Sequence, residues 1–405
     1  MQIPGPVHSF HGLGIAPNLL EILDRLKYTV PTPIQLQSIP SAIEGKDVIG
    51  IAQTGTGKTL AFGIPMIQRL RQTGGNGLVI LPTRELAEQV NETFHKIGHS
   101  SGLKTAILIG GASMNVQMGM IRARPDIVIA TPGRLIDHME RGTITLRAVK
   151  ILVLDEADRM LDMGFAQQIN KILTAVPPQR QTMLFSATMP SDIVKIARSH
   201  MQLPVRVEIA PAGTTAERII QELFMVPKPD KLRLLEKLLT EYRGTVLVFS
   251  RTKHGAKKIA RSVRSMGHAA AEIHANRSQA QRRDALEGFK SGKYRVLVAT
   301  DIASRGIDVK NIELVINFDL PENAEDYVHR IGRTARAGSE GRAISFATPD
   351  QRGDIQSIER LIRGTLPRKP IPELPPHRAV EPMKPSEGQD YGNNRGGRGF
   401  RQRRR

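Results

Sequence analysis

Short runs of consecutive apolar residues recur along this chain. Between them lie stretches whose apolar positions return every three or four residues. In the first half the runs fall at 48–51, 78–81, 105–109, 127–130, 151–154 and 182–185. Because they are continuous rather than alternating, they suit strands covered on both faces, as in a parallel sheet. Residues 83–98 and 133–141 read as intervening helices. The rhythm breaks at Ala210-Pro211-Ala212-Gly213-Thr214-Thr215, so 210–217 is expected to be a linker. A second series follows at 245–249, 296–299, 314–317 and 343–346. Leu232, Leu235, Leu238 and Leu239 share one helical face before it, and Ile355, Ile358, Leu361 and Ile362 share another at its end. The pattern predicts two tandem α/β domains with parallel sheets, at 1–209 and 218–366. No internal repeat is legible. Beyond Leu366 the chain turns Pro-rich, then Arg/Gly-rich; Arg395, Arg398, Arg401, Arg403, Arg404 and Arg405 stand there with no acid after residue 390. Residues 367–405 are therefore expected to form a basic disordered tail.

Charge changes the picture more than size. The chain has 405 residues, a formal net charge of +19 and a pI near 10.4. Such a balance favours a polyanionic partner, nucleic acid before membrane. No run approaches the roughly 18–20 apolar residues that cross a bilayer, and residues 1–10 show neither the basic nor the apolar part of a signal peptide. Cysteine is absent, which excludes disulfides, thiolate catalysis and Cys-ligated zinc, and fits a reducing, cytoplasmic setting. The eleven histidines show no metal spacing. Aromatics make up 4% and tryptophan is absent, so contacts to sugar and phosphate are expected in place of extensive base stacking.

Two segments carry the chemistry, and each comes directly after an apolar run. Residues 52–59 read Ala-Gln-Thr-Gly-Thr-Gly-Lys-Thr, a phosphate-binding loop with Ala52 in place of its first glycine. Thr54, Gly55, Thr56 and Gly57 form a turn whose backbone N–H groups face phosphates, and Lys58 adds a point charge. Thr59 can hold Mg²⁺ through its hydroxyl. Residues 155–158 read Asp-Glu-Ala-Asp. Asp155 can hold the same ion, and the Glu156 carboxylate can take a proton from attacking water. The two together make an ATP site.

At this point the chain resembles the DEAD-box RNA helicases, from Phe10 to about Leu366. Residues 27–35, Lys-Tyr-Thr-Val-Pro-Thr-Pro-Ile-Gln, are similar to that family's adenine-recognition segment, with Lys27 and Val30 as departures. The resemblance implies that Tyr28 stacks on the base and Gln35 pairs with its edge. Pro82-Thr83-Arg84-Glu85-Leu86-Ala87, Gly110-Gly111 and Thr131-Pro132-Gly133-Arg134 match RNA-backbone motifs, which assigns Thr83, Arg84, Gly110, Gly111, Thr131 and Arg134 to RNA. In the second half, Val248-Phe249-Ser250-Arg251-Thr252, Gln279-Ala280-Gln281-Arg282 and the stretch 299–308 add Arg251, Arg282 and Thr300 to that set. Asp308 is implied at the ribose. Ser186-Ala187-Thr188 and Asp158 would couple the ATP state to the RNA state, with His329 bridging Asp158 to the γ-phosphate. His274 is expected to be a structural polar contact. His329-Arg330-Ile331-Gly332-Arg333-Thr334-Ala335-Arg336 is the last motif, with Ala335 where the family has glycine. It supplies Arg333 and Arg336 as arginine fingers across a cleft, each able to contribute roughly 10³–10⁵ in rate.

The resemblance implies two RecA-like domains and an ATP- and Mg²⁺-dependent RNA helicase. Such an enzyme locally unwinds short duplexes or remodels ribonucleoproteins, in ribosome assembly or RNA decay, with ribosomal or decay proteins as partners and no membrane. The tail resembles the bacterial RhlE-like branch. Two other readings stay open on the residues alone: a helicase acting on DNA, and an ATP-independent RNA chaperone working through the tail.

Overall fold

A computed structural model describes residues 9–53, 55–98, 102–209, 219–301, 312–334 and 341–376. The expected linker 210–217 and the Arg/Gly-rich stretch lie outside the described residues. The first domain holds strands β1 (Val48–Ile51), β2 (Asn76–Ile80), β3 (Thr105–Leu108), β4 (Ile127–Ala130), β5 (Val149–Asp155), β6 (Gln181–Ser186) and β7 (Val205–Glu208). The second holds β8 (Ile219–Met225), β9 (Val246–Phe249), β10 (Ala270–Ile273), β11 (Val296–Ala299), β12 (Leu314–Asn317), β13 (Gly341–Ala347) and β14 (Arg368–Lys369). Every pairing among them is parallel.

The sheet orders are β3-β4-β2-β5-β6-β1-β7 and β10-β11-β9-β12-β13-β8-β14. The second order is the first with seven added to each strand. The halves are thus a topological repeat that the sequence did not reveal, because apolar strand residues interchange freely while the topology stays fixed.

Helices cover both faces of each sheet. In the first domain they are α1 (Pro17–Arg25), α2 (Pro33–Ile43), α3 (Lys58–Thr73), α4 (Arg84–Gly98), α5 (Met114–Arg122), α6 (Pro132–Glu140), α7 (Ala157–Asp162), α8 (Ala166–Ala175) and α9 (Ser191–His200). The second has α10 (Lys231–Glu241), α11 (Lys253–Ser265), α12 (Gln279–Lys290), α13 (Ala324–Ile331) and α14 (Arg352–Ile362). Each sheet separates two apolar layers. Phe62, Phe94 and Phe185 fill one side of the first sheet, and Leu135, Met160 and Ile172 the other. This two-sided burial is why the strands read as continuous apolar runs. The runs missed β7, β8 and β10, whose Arg206, Glu208, Gln221, Glu222 and Glu272 interrupt the apolar signal.

The tail expected from residue 367 begins too early. Leu223 N–H donates to Pro367 O at 2.9 Å, and Arg368–Lys369 add an edge strand beside β8. Arg233 Nε on α10 then donates to Pro375 O at 2.6 Å. Proline composition suggested a tail, yet an edge strand tolerates proline on its unpaired side.

Strand β1, paired between β6 and β7, accepts no bulk. A Cβ on Gly50 would lie 2.5 Å from the Phe185 ring, which itself stacks on Phe62 at 5.5 Å. Gly50→Ala is expected to cost about 1–3 kcal/mol through overpacking. Urea unfolding of the first domain reads this as a lowered midpoint with an unchanged slope.

Candidate functional site

The residues assigned to chemistry collect at the carboxyl ends of parallel strands, where open α/β sheets bind ligands. The phosphate loop follows β1, Thr83 lies beyond β2, Gly110 beyond β3 and Thr131 directly after β4. Asp155 ends β5, and Ser186 ends β6. Thr54, Asp308 and Arg336 lie outside the described residues.

The loop is held from behind. Gly55 and Gly57 have φ of 88° and 94°, and α3 starts at Lys58. Gln35 Nε2 donates to Gly57 O at 3.0 Å, while Thr32 N–H donates to Gln35 Oε1 at 2.9 Å. A Cβ on Gly57 would clash with Gln35 Nε2. Gln35 therefore ties the adenine segment to the phosphate loop, and its amide keeps a second donor and a second lone pair for a base edge. Tyr28 stands beside this segment, 39% exposed. Lys58 Nζ donates to Ala52 O at 3.1 Å and lies 3.9 Å from Asp155 Oδ1.

Burial pushes the Asp155 carboxyl up to about 6, with the Lys58 charge opposing and the Glu156 charge reinforcing the rise. Asp155 Oδ1 accepts from Glu156 N–H at 2.9 Å. Glu156 sits at φ 52°, ψ 49°, a left-handed conformation that costs a non-glycine residue about 1–3 kcal/mol and concentrates at active sites. Its Oε2 lies 3.4 Å from Arg159 Nη1. Asp158 Oδ2 accepts from Ala187 N–H (3.1 Å), Thr188 N–H (2.8 Å) and Thr188 Oγ1 (2.9 Å), and Ser186 Oγ accepts from Asp158 N–H at 3.2 Å. Asp158, Ser186 and Thr188 are thus one hydrogen-bonded unit within the first domain.

The second domain closes onto this surface. One cavity is lined by Arg159 of the first domain and by Phe249, Asp301, Asp326, His329, Arg330 and Arg333 of the second. Arg330 donates to Asp301 through Nε (2.5 Å) and Nη2 (2.7 Å) and lies over the Phe249 ring, which fixes α13 against the sheet. His329 is kept neutral, its pKa lowered well below 6.5 by burial first and then by the Arg159 and Arg333 charges; Glu156 opposes and Lys58 adds. No hydrogen bond joins His329 to Asp158 among the described residues, where both Asp158 oxygens accept within the first domain. His329 instead faces Arg159 and Glu156.

The RNA candidates form two groups. Arg84 lies along Gly110-Gly111, where a Cβ on Gly111 (φ 79°) would clash with its guanidinium. Arg134 Nη1 donates to Ala112 O at 3.0 Å, and Thr83 Oγ1 accepts from Leu86 N–H at 3.3 Å. Thr131 precedes α6. In the second domain, Arg251 Nη2 donates to Leu320 O at 3.3 Å, and Thr300 follows β11 next to it in the sheet. Arg282 makes a contact the sequence did not suggest: its Nη2 lies 2.8 Å from Glu85 Oε1 across the domain boundary, with both side chains buried. Gln279 also hydrogen-bonds Glu88 across the boundary. Arg282 is a closure contact, and the helical spacing that brings it to Glu85 is readable only once the domains are docked. Arg159 was overlooked too, although its i+3 spacing from Glu156 was the signal.

A Gly-rich phosphate loop, a buried carboxylate pair and arginines from a second RecA-like domain define an ATPase whose site is completed by domain closure. The DEAD/DEAH box helicase family model matches residues 32–196, and the helicase conserved C-terminal domain model matches 230–338. An ATP-dependent rRNA helicase RRP3 of Debaryomyces hansenii is 44% identical over 368 residues, covering 90% of this chain and 77% of the relative. Among solved structures, S. cerevisiae Dbp5 bound to RNA and ADP BeF3 superposes with a TM-score of 0.80 at 28% identity, covering 90% and 96%. A DEAD box protein of Methanococcus jannaschii gives 0.53 at 36% identity, covering 89% and 99%. The chain belongs to the DEAD-box ATP-dependent RNA helicases. That membership favours ATP-driven work on RNA over a DNA helicase or an ATP-independent chaperone. Better superposition at lower identity means that the two domains here are placed as in the RNA- and nucleotide-bound neighbour.

Removing one partner of a buried ion pair costs about 3–5 kcal/mol. Because Glu85 and Arg282 meet only when the domains dock, Arg282→Ala is expected to raise the RNA concentration for half-maximal ATPase at least ~100-fold, with each domain's thermal unfolding unchanged. Glu85→Gln should do nearly as much. If Arg282 acted on RNA instead, Glu85→Gln would leave that concentration unaltered.

Protonation gives a second readout. An open or unfolded chain takes up a proton on His329 as pH falls through about 6.5, while the closed cleft keeps it neutral. The closed state's contribution is therefore complete above that pH and is lost below it. RNA affinity with a non-hydrolysable ATP analogue should fall by up to about tenfold per pH unit below 6.5, and His329→Asn should flatten that fall.

Proposed function

We propose that this helicase uses Mg²⁺-ATP and RNA jointly to hold its two domains closed, and reopens when phosphate leaves. The observation that carries the reading is that half-buried His329 and buried Arg333 share a cavity with Arg159 of the other domain, within reach of the Glu156 and Lys58 charges. Lys58 and the N–H groups of the glycine turn would take the β- and γ-phosphates. Thr59 and Asp155 offer hard oxygen donors suited to Mg²⁺, and Asp155, whose charge burial disfavours, would be stabilised by a cation there. The bound ion would neutralise charge developing on the phosphates. Glu156, held by Arg159, would orient water and accept its proton. Arg333 would face the γ-phosphate from the second domain, with Arg336 and Asp308 completing that side. Tyr28 and Gln35 would select adenine.

RNA would cross from Thr83, Arg84, Gly110, Gly111, Thr131 and Arg134 to Arg251 and Thr300, read through phosphate and 2′-hydroxyl. Similarity to an rRNA helicase supports structured ribosomal RNA as substrate. The basic tail supports placement in the RhlE-like branch and work in the cytoplasm on ribosome assembly or RNA decay, with proteins of those pathways as partners.

Glu156→Gln tests the reading. It is expected to keep ATP and RNA binding, to reduce RNA-stimulated phosphate release by at least about 10², and to trap the closed complex. Parent-rate hydrolysis by this variant would overturn the base assignment.

A further inference from the structure

We propose that α11 is a second RNA-docking surface, which carries the phosphate backbone onward from the cleft along the flank of the second domain. The proposal rests on the RNA path over Arg251 and Thr300. The helix carries Lys253, Lys257, Lys258, Arg261 and Arg264 and no acid. Ala256, Ile259, Ala260 and Val263 bury its inner face, so all five cations are exposed. Lys253, Lys257, Arg261 and Arg264 are spaced four, four and three residues apart, one above the other, with Lys258 alongside.

Arg264 pairs with Glu272 at 2.9 Å, and no ion pair holds the other four among the described residues. Neighbouring helices neutralise their cations: Lys237 pairs with Glu241 on α10, and Arg283 with Glu287 on α12. The α11 stripe differs in having those four cations on one acid-free helix. It repels itself unless a polyanion lies on it, since like charges one turn apart destabilise a helix.

Its position selects RNA among polyanions. Arg251 leaves β9, Thr252 Oγ1 accepts from Gly255 N–H at 3.0 Å, and α11 begins. Thr300 ends the adjacent strand β11. The helix therefore starts where the proposed RNA path leaves the cleft. It runs about 20 Å back along the sheet, with a cation every ~6 Å along the i, i+4 stripe. The face has no exposed large apolar residue, which argues against insertion into a lipid surface. It has no aromatic either, so recognition is of phosphate, independent of sequence.

The test combines Lys257→Ala, Lys258→Ala and Arg261→Ala in the full chain. Binding is measured by anisotropy with a non-hydrolysable ATP analogue at several salt concentrations. One RNA only fills the cleft; others add a single-stranded or a duplex extension. The unaltered protein is expected to bind an extended RNA about tenfold tighter, and the variant to lose that advantage together with about two units of salt slope. Cleft-length RNA should bind and stimulate ATPase equally in both. An advantage from either extension supports the surface and identifies the form of RNA it takes. A variant that keeps the advantage overturns the proposal, as does one that loses affinity equally for both RNAs. Failure of the unaltered protein to bind cleft-length RNA would instead overturn the RNA path itself. A variant with Lys257→Arg and Lys258→Arg should retain the advantage, separating charge from shape.

Discussion

Closure of the two domains removes charged groups from water before they have complete partners, and the behaviour of the cleft depends on that cost. Arg159 is 2% exposed, and beyond the 3.4 Å ion pair with Glu156 its Nη1 and Nη2 make no hydrogen bond among the described residues. His329 Nδ1, Glu85 Oε2 and Arg282 Nε are in the same condition, and all belong to surfaces that meet across the cleft. A buried group left without its hydrogen bond costs about 1–3 kcal/mol, and more when charged. Several such groups on one interface make docking unfavourable by itself. A triphosphate and an RNA backbone would supply acceptors for the arginines among these groups, which is why the proposed closure depends on both.

The repeated topology shows how one architecture yields two roles. β1 and β8 occupy the same place in their sheets, yet the turns that leave them differ. After β1 comes a turn with two left-handed glycines and a helix that starts at Lys58. After β8 comes Val226-Pro227-Lys228-Pro229-Asp230, with no glycine and two prolines that offer no N–H. That turn cannot surround a phosphate with backbone donors. At this position the second domain has no counterpart of the phosphate loop, in keeping with the proposal that it contributes side chains to its neighbour's site.

How much the sequence made legible depends on the range of each signal. The phosphate loop and Asp155-Glu156 are local, since a few consecutive residues set both backbone and chemistry. Both stood in the sequence where the structure has them. The strands were legible because two-sided burial imposes continuous apolar runs. β10 was not, because Glu272 sits in it, buried between Arg264 and Arg277. The contact of Arg282 was not legible for a related reason. Its motif placed it near RNA, while its partner Glu85 lies almost two hundred residues away in the chain, in the other domain. Apolar periodicity carries no information about such a pairing, and a carboxylate beside Arg84 reads equally well as a surface charge.

The tail boundary has the same physical origin. Proline and a falling apolar fraction made residue 367 look like the start of disorder. The edge of a parallel sheet asks for little more than backbone, however, and β8 offers unpaired groups along its outer side. Pro367 needs only its carbonyl to accept from Leu223, and Arg233 needs only the carbonyl of Pro375. Ten residues of low hydropathy can therefore follow the sheet and cover an edge that would otherwise invite pairing with another chain. The cover also carries the chain to α10, which packs beside α11. The segment that leads to the Arg/Gly-rich stretch thus departs from the same flank as the helical cations.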